Sequence, residues 1–386
     1  MFAGTKLRAA LTGIVLSTLS LTTLQGTATA ADFPDRTSSH APTTGGSPVA
    51  AIEGATARAL ARSLAEPAWR RQLAHAALAQ QEVDLLALTA KSGAGPVKGF
   101  RAALVEAEAG IAEAKGLGEG VPSLLRVGLA GQKVDESALA SAEPLVASAP
   151  ADDDAEVVVA YDSAGVAHEL DAATAPQRPV YVVGVDGQKA LAAGLEVIER
   201  ELAARGLDSA SPTAASPSTA SAATGFWTTR IKSIGIADVK EPWFKSDAEI
   251  FSLVTGFGTD GKVRVDTVTM PYLDDEGTTY YPNQILVNWS NYKYNLADVV
   301  LMEDDGDTNY SSLAKALAAV LLTITDQGAY IPLVDAIIDA MPASWWTDDP
   351  DYVDSFYTLA RETAGSRAGA AGNARMTVER YYVSAL

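Results

Sequence analysis

From Ile234 to Tyr310 the chain alternates short apolar runs with loops dense in Asp, Glu, Gly and aromatic residues, a pattern that few folds accommodate. Ile250-Phe251-Ser252-Leu253-Val254, Ile285-Leu286-Val287-Asn288-Trp289 and Val299-Val300-Leu301-Met302 are too short for helices and are bounded by turn residues. Runs of that length and spacing predict antiparallel strands of a β-sandwich. Tyr352 to Leu359 and Met376 to Val383 read as returning strands. Ser311 to Thr325 and Ile331 to Met341 read as apolar helices inserted between them, the second opened by Pro332.

The front of the chain has a different period. Ala and Leu recur at helical spacing from Ile52 to Leu64, and Pro67 suits the first turn of a helix whose Trp69, Leu73 and Ala76 share one face. Val83, Leu86 and Thr89 continue a third helical piece, and Phe100, Leu104, Ala107 and Ile111 stripe a fourth. From Glu156 the period drops to two: Val157 to Tyr161 and Val166 to Leu170 read as a hairpin closed by Asp162-Ser163-Ala164-Gly165. Pro179 to Val185 is a further strand, and Gln188 to Arg205 an amphipathic helix. Ser209 to Thr224 is almost wholly Ser, Ala, Thr and Pro, too poor in apolar surface to offset its ordering entropy, so it reads as a linker.

The first residues read as an export signal. Lys6 and Arg8 precede an apolar stretch from Ala9 to Leu24, and Ala28-Thr29-Ala30 offers the small-x-small pattern of a cleavage site. Gly13, Ser17 and Ser20 interrupt the apolar stretch, which argues against a membrane anchor. Zero cysteines remove thiol catalysis and thiolate metal sites. A formal charge of -19 repels phosphate backbones, so no nucleic-acid partner is expected.

Glu303-Asp304-Asp305-Gly306-Asp307 places four carboxylates in five positions at a strand end. Two like charges ~6 Å apart repel by about 0.7 kcal/mol in water and about 2.8 kcal/mol at an effective dielectric near 20. In a partly closed pocket such a cluster needs a cation, and calcium, which takes six to eight oxygens, fits it. The spacing is not an EF-hand, because twelve-residue numbering from Asp305 puts Ala316 at the bidentate position. Asp238, Glu241 and Asp247 in an earlier acidic loop complete a hypothetical calcium site with Glu303, Asp304, Asp305 and Asp307, and Asp274-Asp275-Glu276 form a separate acidic candidate. Continuing the inward alternation of Val299 and Leu301 points Glu303 at the core, with no Lys or Arg but Lys293 within ten residues.

Histidine chemistry has little to stand on. His40, His75 and His168 lack neighbouring triad or zinc motifs. Paired carboxylates beside Tyr272, Tyr280, Tyr281, Trp289, Tyr292, Tyr294 and Trp345-Trp346 keep two readings open, a carboxylate-dependent glycoside hydrolase and a glycan-binding surface.

The segment from Pro271 to Tyr310, with Asp238 to Phe251 upstream, carries Pro-Asn-Gln, then Trp, Tyr-x-Tyr, and an acidic cluster ending Thr-Asn-Tyr. It resembles an exported bacterial family known as DUF3103, as does the earlier stretch with AEPLVASAP, AYDSAGVAHELD and RPVYVVG. The resemblance covers most of the chain after the signal. It implies export, a helical front half and a β-rich rear half, and it carries no catalytic residues across. The Ser/Ala/Pro linker departs from the family's pattern.

The sequence thus predicts an α+β protein: signal peptide 1–30, leader 31–48, a helical and small α+β domain 49–205, linker 206–226, and a C2-like antiparallel β-sandwich with inserted helices 227–386. The expected function is an extracytoplasmic interaction or structural module, stabilised by calcium, whose partner is a protein or glycan at the cell exterior. The alternative is a secreted hydrolase.

Overall fold

The computed structural model describes residues 47–386 except 81, 93–94, 131–138, 140–142, 151–154, 211–224, 239–242, 245–247, 305, 342–351 and 386. The stretch read as a signal peptide and nearly all of the stretch read as a leader lie outside them. The fold is α+β, with seven helices among the described residues and three mostly antiparallel sheets.

Helices α1 (Pro48–Ser63), α2 (Pro67–Ala79), α3 (Leu85–Ala90) and α4 (Gly95–Ala114) cover one face of the first sheet. Ser47 caps α1 through its hydroxyl, and Pro48 and Pro67 each sit at the start of a helix, where no intrahelical donor is lost. The sheet runs β1 (Glu82–Asp84), β2 (Leu125–Ala130), β6 (Val180–Val185), β3 (Leu145–Ser148), β4 (Val157–Tyr161), β5 (Ala167–Asp171), and only β3 and β6 pair in parallel. Leu60, Trp69, Leu73, Leu104 and Ile111 pack against Val127, Val146, Tyr181 and Val183. The expected hairpin forms, its turn held by Ala164 and Val166 amides donating to Asp162 Oδ1. Val83 is a correction: it belongs to strand β1, because Asp84 caps α3 (Ala87 N to Asp84 Oδ1, 2.8 Å) and starts the helix one residue later.

The rear half has three layers. The second sheet runs β13 (Tyr352–Ala360), β12 (Leu296–Glu303), β9 (Ile250–Phe257), β10 (Val263–Thr269), β7 (Asp208–Ala210). The third runs β11 (Gln284–Asn288), β8 (Phe226–Ile236), β15 (Ala374–Val383), β14 (Gly365–Ala368). Ile250, Val254, Val299 and Leu301 meet Ile231, Ile234, Leu286 and Met376 between these sheets. On its other face the second sheet carries α5 (Gly187–Ala204), α6 (Tyr310–Leu321) and α7 (Val334–Ala340), which bury Phe251, Leu253, Val300 and Met302. All eight residues of β9 are buried in consequence. Gly194 sets the approach of α5 to α6, since a Cβ there would stand 2.4 Å from the Tyr310 ring.

Helix α5 precedes the Ser/Ala-rich segment and strand β7 takes in its first two residues, Ser209 and Ala210, which the linker reading places outside the fold; α5 packs on the second sheet and β7 pairs in parallel with β10. The described residues accordingly fall within one compact unit. None of their helices is long and apolar enough to cross a membrane.

Two outcomes follow from this packing. A chain cut at a protease site engineered into 211–224 is expected to elute from a sizing column as one particle, because α5 stays packed on the second sheet and β7 stays paired with β10. Trp289 is 4% exposed between the sheets and donates its indole N–H to Thr229 Oγ1 at 3.0 Å. Trp289→Ala is expected to lower unfolding free energy by about 3–5 kcal/mol in urea titration.

Candidate functional site

The acidic loop after β12 begins as the continuation of a strand buried on both faces. Val299 and Leu301 face the third sheet, while Val300 and Met302 face the helices. Glu303, half-buried, pairs with Ile250, and Asp304 is the residue that enters the interior. Lys115, just past the end of α4, supplies its counter-charge: Nζ lies 3.3 Å from Asp304 Oδ1, and both side chains are 1% exposed. The same ammonium donates to the Gly306 carbonyl at 2.9 Å. The cation that the sequence reading sought nearby arrives from 189 positions away.

The surrounding contacts make this loop a dock for the front helices. Asn309 caps α6 through Ser312 N (2.9 Å), while its side-chain amide donates to Ala114 O at 2.7 Å. Tyr310 N donates to Lys115 O at 3.0 Å, so carbonyls left open at the end of α4 are satisfied by the turn that starts α6. Gly116 accepts a left-handed conformation (φ 62°) that brings the chain against Asn309. Asp307 accepts a hydrogen bond from the Ser47 hydroxyl at the cap of α1.

Asp238 stands apart from this dock, its backbone clasped by the side chain of Asn373 in two 3.0 Å bonds at the start of β15. Glu241, Asp247 and Asp305 lie outside the described residues. Among the described residues, no three His, Cys, Asp or Glu side chains come together as a metal-ligand group.

The second acidic segment shapes a surface instead. Between β10 and β11 the chain folds back so that Tyr280 pairs with Ile234 through both backbone bonds. The Tyr280 hydroxyl donates to Asp274 Oδ1 at 2.6 Å, has Asp275 Oδ2 3.2 Å away, and accepts from Asp275 N at 3.1 Å. The Tyr272 hydroxyl donates to Gln284 Oε1 at 2.6 Å, and Gln284 Nε2 in turn donates to Thr269 O at 2.8 Å. The two rings lie 6.0 Å apart, tilted by 50°. With Pro271, Pro282 and Tyr281, which is 73% exposed, they line an open trough of about 620 Å³. Burial, with the Asp274 carboxylate beside it, pushes the Tyr280 hydroxyl up to about 12, and burial raises Tyr272 as well. Both phenols therefore remain donors and fix their rings in place.

Sequence reasoning named these tyrosines and acids but not Lys115, whose helix-end position carries no local sign of its partner. The chain is an α+β protein with an acidic dock between α4 and α6 and an aromatic trough. Over residues 56–385 it matches the family described as a protein of unknown function, DUF3103, and it belongs to that family. No curated protein and no solved structure matches it.

Removing one member of a buried ion pair leaves the other charge uncompensated. Lys115→Met is expected to cost about 3–5 kcal/mol in denaturant unfolding, and Lys115→Met with Asp304→Leu to recover most of that loss.

Proposed function

We propose that the chain is an exported, extracytoplasmic interaction module that binds glycans through the trough of Tyr272, Tyr280 and Tyr281. The observation that carries this reading is the preset geometry of the rings: two are held by hydrogen bonds to Asp274 and Gln284, and the third lies open to solvent. A sugar presents an apolar face that covers such a ring and a rim of hydroxyls for the polar atoms beside it. Covering exposed apolar surface yields about 25 cal/mol per Å², and rings already fixed lose little freedom on binding. The segment from Ala28 to Ala30 supports export ahead of this function. Asp274 and Asp275 both serve the Tyr280 hydroxyl, which favours binding over carboxylate-dependent hydrolysis.

Affinity electrophoresis against a panel of soluble polysaccharides tests the reading. Retardation of the wild type by at least one of them is expected, with a loss of about tenfold or more in Tyr281→Ala and an unchanged melting temperature, since this side chain is mostly exposed. Equal retardation of wild type and variant, or none across the panel, defeats it.

A further inference from the structure

The third sheet has one covered face and one open one. Its inner positions, Ile231, Ile234, Met376 and Val378, are buried against the second sheet, so strand alternation turns Ser233, Arg375, Thr377 and Glu379 outward. The sheet inverts the charge of the chain. The sequence holds 48 acidic residues against 29 basic ones, yet β8, β11, β14 and β15 together hold Arg230, Lys232, Arg367, Arg375 and Arg380 and a single acid, Glu379. Two of these cations turn elsewhere: Arg380 stacks on Trp227 at 3.7 Å and pairs with Glu362, and Arg367 lies opposite the buried Met376. The other three share the outer face.

Pairing sets that face in rows. Arg230 lies opposite Glu379, and its Nε and Nη2 both donate to Oε1 of that carboxylate, Nε at 2.8 Å. The guanidinium rests 3.8 Å over the ring of Tyr381 and is fixed there. The next pairing skips Lys232, a bulge that adds a residue to β8 and brings this lysine to the same face. Lys232 Nζ stands 3.9 Å from Glu379, donates to Asn283 Oδ1 at 3.0 Å, and keeps 43% of its side chain in solvent. One carboxylate thus answers two cations. Beyond them Ser233, Thr377 and Ser366 lie in register on three adjacent strands. Arg375 follows, exposed, with Nη1 donating to Ser366 Oγ at 3.4 Å and no carboxylate paired to it among the described residues.

This arrangement selects an occupant. Arg375 lies opposite Gly235, three residues along β8 from Lys232. At the rise of a strand that is roughly 10 Å, too far for one small anion to touch both. A polymer with carboxylates at intervals can touch both, and the hydroxyls between the two cations suit the hydroxyls of a sugar. The acidity of the whole chain opposes such a polymer only from afar, since its field falls off within about 8 Å at physiological ionic strength and leaves the local cations to decide. We infer that the outer face of the third sheet binds an acidic polysaccharide, with carboxylates at Lys232 and Arg375 and sugar hydroxyls over Ser233, Thr377 and Ser366, at a site separate from the trough. Lysine and arginine donate to carboxylates through short, charge-assisted hydrogen bonds.

Isothermal titration of the full chain at physiological ionic strength tests this, with polygalacturonate, its methyl ester, polyglutamate and polyphosphate as probes. Polygalacturonate is expected to bind, and the uncharged ester, the sugar-free polyglutamate and polyphosphate to bind about tenfold more weakly or not at all. Lys232→Gln with Arg375→Gln is expected to weaken polygalacturonate binding about tenfold or more at an unchanged melting temperature, since both side chains reach solvent. Lys232→Arg with Arg375→Lys, which keeps both charges, is expected to bind as the wild type does. Absence of heat with polygalacturonate, equal or tighter binding of any other probe, unchanged affinity in the glutamine pair, or loss of binding in a folded charge-keeping pair overturns the inference.

Discussion

The second sheet has no solvent face, and most of the rear half follows from that. β9 is buried along its whole length, and β12 along all but its ends, because the third sheet covers one side and α5–α7 the other. A strand in this position must be apolar at nearly every residue, which is why Ile250–Phe257 reads as a continuous run rather than a strict alternation. It also means that a polar side chain anywhere on β12 enters an interior. Asp298 is the clearest case. It is fully buried, accepts from Leu333 N (2.5 Å) and Thr358 N (2.6 Å), and burial raises its pKa. Those two bonds fix the start of α7 and the left-handed turn at Thr358 (φ 52°), so one carboxylate couples a helix to an edge strand.

Much of this architecture is legible in the residues. Strands β9, β11, β12, β13 and β15, the two apolar helices of the rear half, and the helix after Val185 declare themselves by period and by their turn residues, whereas β8, β10 and β14 do not. What the chain conceals has physical causes. Leu125–Ala130 and Leu145–Ser148 are short, and nothing in their composition distinguishes a central strand from a helix fragment. Alternation from Val299 and Leu301 points to Glu303 as the buried acid, a sound inference for a strand with one wet face. With both faces covered, the next residue is inside as well, and Asp304 is the one that meets Lys115. No local signal could reveal that pairing, since the two lie on separate elements brought together only by tertiary packing.

Buried carboxylates elsewhere serve the same end of joining segments. Asp354, fully buried, accepts from Ser355 N, Ala371 N and Ala374 N at 2.6–2.8 Å and holds the β14–β15 turn against β13. Asp266 takes the Tyr292 hydroxyl at 2.9 Å and Arg264 at 2.8 Å. A desolvated carboxylate is costly unless hydrogen-bonded or paired, and each of these is provided with two or more donors, at least one of them distant in the chain. Removal of any one would leave several orphaned donors at once, so these acids set the register of the layers more than they add net stability.

The acids of the second acidic segment act through a neighbour rather than as contacts themselves. In the trough, Asp274 and Asp275 orient a phenol and leave its ring as the contact, so a neutral ligand meets mostly apolar surface. They sit in the field of a chain with 48 acidic and 29 basic residues. That field raises the local concentration of cations and falls off within about 8 Å at physiological ionic strength. Salt therefore screens the chain's long-range pull on cations and leaves the hydrogen bonds that hold the Tyr280 ring nearly unchanged. The same acidity that sets the chain's overall charge thus acts at short range as scaffold, beside the Tyr280 ring as in the buried dock of Asp304.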